Sequence, residues 1–189
     1  MPATVILLAA GSGQRMQGSV ADKALTPLAG LTAIGHCLRA FVAAGLSTTT
    51  IIVYRDQPQR AALQAATDPI HPNPKQIIWV QGGSERQESV WNALGAVPPG
   101  SEFVYIHDVA RPCIHPHAIA ALRVAVERDA AAVLAQPVTD TIKRIPAASQ
   151  LRSTELEDLD RSRLWAMQTP QAFDTKKIQA AYRHVHDHH

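Results

Sequence analysis

The residues best placed to do chemistry form a short run near the N-terminus, Leu8-Ala9-Ala10-Gly11-Ser12-Gly13-Gln14-Arg15-Met16, followed by Lys23. A strand that ends in small residues and glycines lets backbone N–H groups approach an anion closely. An arginine and a lysine nearby add positive charge where a polyphosphate would lie. Two common nucleotide motifs do not fit. The dinucleotide fingerprint needs a third glycine where Met16 stands, and the P-loop needs Gly-Lys-Ser/Thr, which is absent. On its glycines alone the run reads equally well as a tight strand-to-helix turn.

Two further stretches carry chemistry of the same kind. In Gly82-Gly83-Ser84-Glu85-Arg86-Gln87-Glu88-Ser89-Val90 the paired glycines open a strand-to-helix loop. The helix that follows offers unpaired N–H groups to a ligand, and Ser89 can hydrogen-bond a base edge. Ser84 is available to cap that helix. His107-Asp108-Val109-Ala110-Arg111-Pro112 ends another strand. An aspartate at the carboxyl end of a parallel strand suits a ribose hydroxyl or Mg²⁺, a hard cation that prefers oxygen ligands. Arg111 reads as an ion-pair partner that shapes the loop. Asp140-Thr141-Ile142-Lys143-Arg144 and Asp160-Arg161 read on their own as a solvated charged face, and Trp165 as core.

The elements that must position these residues follow from periodicity. Ala3–Ala10 is a short apolar run expected as a strand buried on both faces. Thr32–Ala44 has apolar residues at helical spacing, with Thr32 as N-cap. Strands are expected at Thr48–Tyr54, Gln76–Val80, Phe103–His107 and Ala131–Val138. Helices are expected at Gln57–Thr67, Glu85–Ala96, Thr175–His186 and Pro116–Asp129, the last with proline in its first turn, where a missing N–H costs nothing. Strand and helix alternate at short spacing, which predicts an α/β fold, a mostly parallel sheet flanked by helices. Three of its strand ends, each glycine-rich or acidic, then share one crevice. Thr139–Asp160 breaks the pattern, being polar and without apolar periodicity. It reads either as a loop or as a hairpin whose apolar partner lies on another subunit. Leu164–Phe173 returns to a core-like pattern.

Composition bounds the function class. The chain has 189 residues, 46% hydrophobic and 18% charged, which suits one globular domain and not a disordered segment. The longest apolar stretch, Val5–Ala10, is too short to cross a bilayer, and no basic region precedes it, so neither a membrane partner nor a secretory signal is expected. The net charge is only +2 and the basic residues are scattered, which argues against a nucleic-acid partner and for a small anionic ligand. Cys37 and Cys113 stand apart, as buried thiols in a reducing, cytoplasmic setting would. The histidines His184, His186, His188 and His189 read as an exposed, frayed tail.

Taken whole, the string LAAGSGQRM with Lys23 resembles the signature of sugar-nucleotide nucleotidyltransferases. Adding GGSERQESV, HDVARPC, PVTDTIKR and DRSRLWAMQTPQAF, in order from Val5 to about Ala181, the chain is similar to the 2-C-methyl-D-erythritol 4-phosphate cytidylyltransferase family of the non-mevalonate isoprenoid pathway. That resemblance implies a Rossmann-like nucleotidyltransferase fold over residues 1–189, with 139–160 as a projecting arm for homodimerisation. It implies CTP and a polyol phosphate as substrates, with Mg²⁺ or another divalent cation. Arg15 and Lys23 match the cations that stabilise the pentacoordinate α-phosphate. Ala9, Ala10, Gly11, Ser12 and Gly13 match the loop around base and phosphates, and Gly83, Ser84 and Ser89 the cytosine-reading positions. Asp108 matches the acidic residue near ribose and metal. Thr141 and Arg161 match arm residues that grip the methylerythritol phosphate across the dimer interface.

The sequence departs from the family pattern in two places. Ser84 stands where relatives often carry an acidic residue. A Thr-Asp-Glu/Asp-Ala segment and a final Asn-Ile-Lys strand, which supplies a lysine for the substrate phosphate, are not found before His189. The family's C-terminal segment is therefore expected to be absent. Two alternative functions share most of these motifs: a cytidylyltransferase for ribitol 5-phosphate or another polyol phosphate, and a truncated nucleotide-binding paralogue of low activity.

Overall fold

The computed structural model describes residues 2–11, 22–46, 49–71, 73, 76–145 and 156–188. Ser12, Gly13 and Arg15, expected at the site, lie outside them, as do residues 146–155 of the expected arm and His189 of the histidine-rich end. The chain divides into two compact units, Met1–Val133 with Thr169–His189, and Leu134–Gln168.

In chain order the elements begin with β1 (Ala3–Leu8), a small antiparallel ribbon of β2 (Pro27–Leu28) and β3 (Leu31–Thr32), and α1 (Ala33–Ala43). They continue with β4 (Thr49–Tyr54), α2 (Gln57–Thr67), β5 (Ile77–Gln81), α3 (Arg86–Gly95), β6 (Phe103–Asp108) and α4 (Pro116–Asp129). Last come β7 (Ala131–Pro137), β8 (Lys143–Arg144), β9 (Glu157–Asp158), β10 (Trp165–Asp174) and α5 (Thr175–His188). The main sheet runs β5-β4-β1-β6-β10-β7. β1 pairs in parallel with β4 and β6, and β4 with β5, whereas β10 runs antiparallel to β6. The α/β architecture with a mostly parallel, helix-flanked sheet is thus what the alternation predicted.

The strand order places the ligand site. The chain winds from β1 outward to β4 and β5, then returns to the other side of β1 for β6. Crossovers of one hand then put the helix after the reversal on the opposite face from those before it. Accordingly Ile6, Ile51, Val53, Val104 and Ile106 pack with Val90, Ala93 and Leu94 of α3, against which Ile178 and Tyr182 of α5 also lie. Successive strand residues alternate faces, so Leu7, Ile52, Tyr105 and His107 look the other way, where Phe41 of α1 meets the His107 ring at 5.6 Å. Val5, Ile6 and Leu7 are all fully buried, which makes β1 the central strand and explains its unbroken apolar run. Each such side chain contributes about 1.5–3 kcal/mol on leaving water.

Local signals set the helix starts. Thr32 caps α1, its hydroxyl accepting from the Gly35 N–H at 3.2 Å. Pro116 opens α4 as expected. Ser84 does not cap α3: Glu85 is the N-cap residue, without a side-chain cap bond, because the Ser84 hydroxyl donates to Glu88 Oε2 at 2.8 Å. The histidine-rich end is also not frayed over its described length. α5 continues to His188, and the Trp91 ring stacks on Tyr182 and His186 at 6.3 and 5.2 Å. Cys37 is buried, its thiol pushed up to about 12 by burial, but Cys113 is exposed, contrary to expectation. Among the described residues no helix is long and apolar enough to cross a membrane.

In the second unit β8 and β9 pair antiparallel, with Lys143 opposite Asp158 and Arg144 opposite Glu157, so a ribbon replaces the loop reading. Trp165 is 56% exposed and not core. Along β10 it shares an exposed phase with Met167, and Ile142, Ile145 and Leu156 are exposed as well.

Candidate active site

β1 and β6 are adjacent parallel strands at the point where the winding reverses, and a crevice opens beyond the carboxyl ends of such strands. A cleft of about 830 Å³ lies there, within the range of small-molecule sites. Three strand ends supply its walls: Leu8–Gly11 after β1, Gly83–Ser89 after β5, and Asp108–Arg111 after β6. Lys23 also faces it. Ala9, Ala10, Gly11, Lys23, Gly83, Ser84, Ser89 and Asp108 therefore converge on one volume. Thr141 and Arg161 belong to the other unit, where Arg161 Nη1 donates to the Thr139 carbonyl at 2.9 Å.

The glycines are there because nothing larger fits. A Cβ at Gly82 would sit 2.7 Å from Ala10 Cβ and 2.8 Å from Ser89 Oγ, and one at Gly83 would fall 2.3 Å from Glu88 Cβ. This close approach lets the Gly83 N–H donate to Ser89 Oγ at 3.1 Å. Ser89 is buried, and that bond uses its oxygen and not its proton, which stays available to an acceptor on a ligand. Glu88 reaches back to Ser84, accepting from its N–H at 2.7 Å and from its hydroxyl, and these bonds lower the Glu88 carboxyl below its ordinary range.

Asp108 is held from two directions. Arg86 Nε donates to its Oδ1 at 3.0 Å, and its own N–H donates to Thr169 Oγ1 at 3.3 Å. Thr169 in turn bonds His107 Nδ1 at 3.0 Å, while His107 Nε2 lies 3.2 Å from the Arg111 carbonyl. A carbonyl can only accept, so Nε2 carries the proton and Nδ1 accepts from the threonine hydroxyl. Burial drops His107 to about 4, which keeps the ring neutral and this tautomer fixed. Two bonds to one imidazole thus set both ends of the Asp108–Arg111 turn.

Sequence reading missed one cleft cation and one buried residue behind the cleft wall. Arg55, directly after β4, lines the cleft and pairs with Asp22 at 3.4 Å and Asp56 at 2.9 Å. A cation at the end of a parallel strand was the available signal. Gln59 of α2 had none, because its partners Ala9 and Asp22 are distant in sequence. With Lys23, Arg55, Arg86 and Arg111 against Glu85 and Asp108, cations outnumber carboxylates four to two among the described lining residues. Such a cleft attracts a polyanion.

A doubly wound sheet whose glycine-lined, cation-rich cleft opens at its switch point defines a nucleotide-binding α/β protein of the nucleotidyltransferase kind. The family described as "IspD: 2-C-methyl-D-erythritol 4-phosphate cytidylyltransferase" matches residues 3–188, and the chain belongs to that family. It is 38% identical to the 2-C-methyl-D-erythritol 4-phosphate cytidylyltransferase of Synechococcus sp. (strain CC9902) over 178 residues, covering 94% of this chain and 75% of the relative. Identity to the Symbiobacterium thermophilum protein of the same name is 38% over 183 residues, 97% of this chain and 73% of that one. Among solved structures, 4-diphosphocytidyl-2C-methyl-D-erythritol synthase from Anaerococcus prevotii superposes with a TM-score of 0.80 at 25% identity, covering 97% of this chain and 76% of the other. The Thermus thermophilus cytidylyltransferase gives 0.72 at 25% identity, over 99% and 77%.

Proposed function

We propose that the chain transfers CMP from CTP to 2-C-methyl-D-erythritol 4-phosphate, giving 4-diphosphocytidyl-2-C-methyl-D-erythritol and pyrophosphate. Membership of the family supports the reaction, and the cleft uniting Gly11, Lys23, Gly83, Ser89 and Asp108 carries it. The base lies against Gly83 and Ser89, whose spare hydroxyl proton meets an acceptor on the cytosine edge. The triphosphate lies along Ala9–Gly11, where a Cβ on Gly11 would meet no described atom within 4 Å, so the backbone is open to a ligand.

The attacking group is a phosphomonoester, whose second pKa is about 6, so it is already ionised near neutral pH and no general base is required. What opposes the reaction is charge: an anion approaches a phosphorus surrounded by anionic oxygens. Lys23 faces the α-phosphate and offsets the charge that grows as the fifth oxygen arrives. Arg15 takes the same role in the family pattern.

Asp108 fits Mg²⁺ as a single hard carboxylate in a cleft that also admits phosphate oxygens, the usual way this ion is held. The ion would supply charge neutralisation on the triphosphate. Asp108 Oδ1 already accepts from Arg86, which orients the carboxylate. Thr141 and Arg161 contact the polyol phosphate of the neighbouring protomer in a homodimer built by the second unit, whose exposed Trp165 and Met167 are suited to burial. The exposed thiol of Cys113 suits the reducing cytoplasm.

Pyrophosphate release from CTP and Mg²⁺ with 2-C-methyl-D-erythritol 4-phosphate, and separately with ribitol 5-phosphate, tests the reading. Turnover with the former is expected. Turnover with ribitol 5-phosphate alone would change the acceptor, and failure to bind CTP in calorimetry would remove the proposal.

A further inference from the structure

Gln59 is 3% exposed, yet every polar atom of its side chain is used. Its Nε2 donates to the Ala9 carbonyl at 3.0 Å and to Asp22 Oδ2 at 2.6 Å. Its Oε1 accepts from the Arg55 N–H at 2.6 Å. The amide orientation is unambiguous, since two acceptors face the nitrogen and one donor faces the oxygen. Its own backbone is fixed too, the Gln59 N–H donating to Asp56 Oδ1 at 2.8 Å where α2 starts.

Two of the groups it joins, Ala9 and Arg55, line the cleft, and the third, Asp22, directly precedes the cleft residue Lys23. Ala9 is where the glycine run leaves β1, and Arg55 is where β4 ends. Asp22 precedes Lys23, and its Oδ1 accepts the Ala24 N–H at 2.9 Å, closing a turn around the lysine backbone. Ala24 is buried and its carbonyl accepts from Ile34 of α1, so the segment is anchored on its far side as well. Lys23 thus sits between an anchor on α1 and an anchor on Gln59.

We infer that Gln59 is a positioning residue for the nucleotidyl transfer, acting through Asp22 to set Lys23 relative to the end of β1, to which its bond with the Ala9 carbonyl ties it, an inference that rests on the proposed reaction. It touches no substrate. Its amide fixes the separation between the lysine and the end of β1. That separation decides whether the ammonium meets the innermost phosphorus, and displacements near 1 Å cost on the order of 10²-fold in such sites.

A double-mutant cycle between Gln59→Leu and Lys23→Ala tests this, read as kcat/KM for CTP and as CTP affinity by calorimetry. Leucine keeps the bulk of the side chain and deletes its three bonds. We expect about a tenfold or greater loss in the wild-type background and less than about twofold in Lys23→Ala, because a residue acting through Lys23 has little left to act on. Equal losses in both backgrounds would make Gln59 a merely structural residue and overturn the inference. Gln59→Glu adds a second signature. The charged carboxylate would face two acceptors, whereas its protonated form can donate again. Its activity relative to wild type is therefore expected to rise as pH falls, and a flat ratio counts against the inference. Should both Gln59 variants fail to fold, Asp22→Asn, on the loop side of the bond, takes the place of Gln59→Leu in the cycle with the same two outcomes. A wild-type chain that binds CTP without turnover sinks the proposed reaction while the affinity cycle still judges Gln59. One that does neither sinks both.

Discussion

The two units of the chain use polar side chains in opposite ways. In the sheet unit polar groups at the cleft are buried and hydrogen-bonded to backbone: Gln59 and His107 join segments that have no covalent reason to be neighbours, and Ser89 accepts from the Gly83 N–H while keeping its own proton for a ligand. In the Leu134–Gln168 unit the ion pairs Lys143–Asp158 and Arg144–Glu157 are exposed, and so are several large apolar side chains. A buried hydrogen bond is costly to leave unmade, so the first arrangement fixes geometry. Exposed pairs contribute little and leave geometry to be set by other contacts. Nucleotide chemistry needs the first kind of region; the grip on a second substrate proposed for the other unit would tolerate the second.

Removing the cation at the centre of the fixed region should have the largest effect. Lys23→Ala is expected to lower turnover on the order of 10²–10³, measured as pyrophosphate release, while leaving the fold intact. Near-normal turnover would mean that the ordered cleft is not where the charge is met.

Acid should damage the fixed region selectively. Folded His107 takes a proton only at about 4, whereas the unfolded chain takes it near 6.5. The unfolded state therefore binds the extra proton between those values, and stability falls as pH drops through that window. At 1.36 kcal/mol per unit the residue accounts for about 3 kcal/mol. Urea unfolding of the wild type at pH 7, 6, 5 and 4 should show this loss. His107→Gln, less stable at pH 7, should show a shallower decline, and parallel curves would remove His107 as the cause. Gly82→Ala comes next. Its new methyl group would strike Ala10 and Ser89, which predicts a cost of about 1–3 kcal/mol and weaker CTP binding by calorimetry.

The same contrast explains what could be read from the sequence. Helix α2 spans the expected residues and β1 is the buried strand its apolar run implied, because propensity and periodicity are local. Gly83 and Asp108 were visible as strand-end residues of telling type, and Lys23 as the cation that follows the glycine run. Gln59 was invisible because its meaning lies in Ala9 and Asp22, which only the folded sheet brings to it. Ser84 was misread as a cap since Glu88, in the same turn, competes for its hydroxyl. Trp165 was misread as core since hydrophobicity alone does not say whether a strand face is covered within the same chain.

The smallest effect belongs to the ribbon. Lys143 and Asp158 stand directly opposite one another, as do Arg144 and Glu157, and adjacent positions on a strand face opposite sides. The two pairs therefore cannot merge into one network, and each is worth only about 0.2–1 kcal/mol. Lys143→Ala should lower the unfolding free energy by less than about 1 kcal/mol, and salt should shrink the difference further by screening the pair. CTP affinity should not change. The charge swap Lys143→Asp with Asp158→Lys should recover most of the loss, since attraction between opposite partners does not depend on which strand carries which sign. A loss of several kcal/mol that the swap did not recover would show that this ribbon, like the cleft, is held by a desolvated contact, and the contrast between the two units would fail.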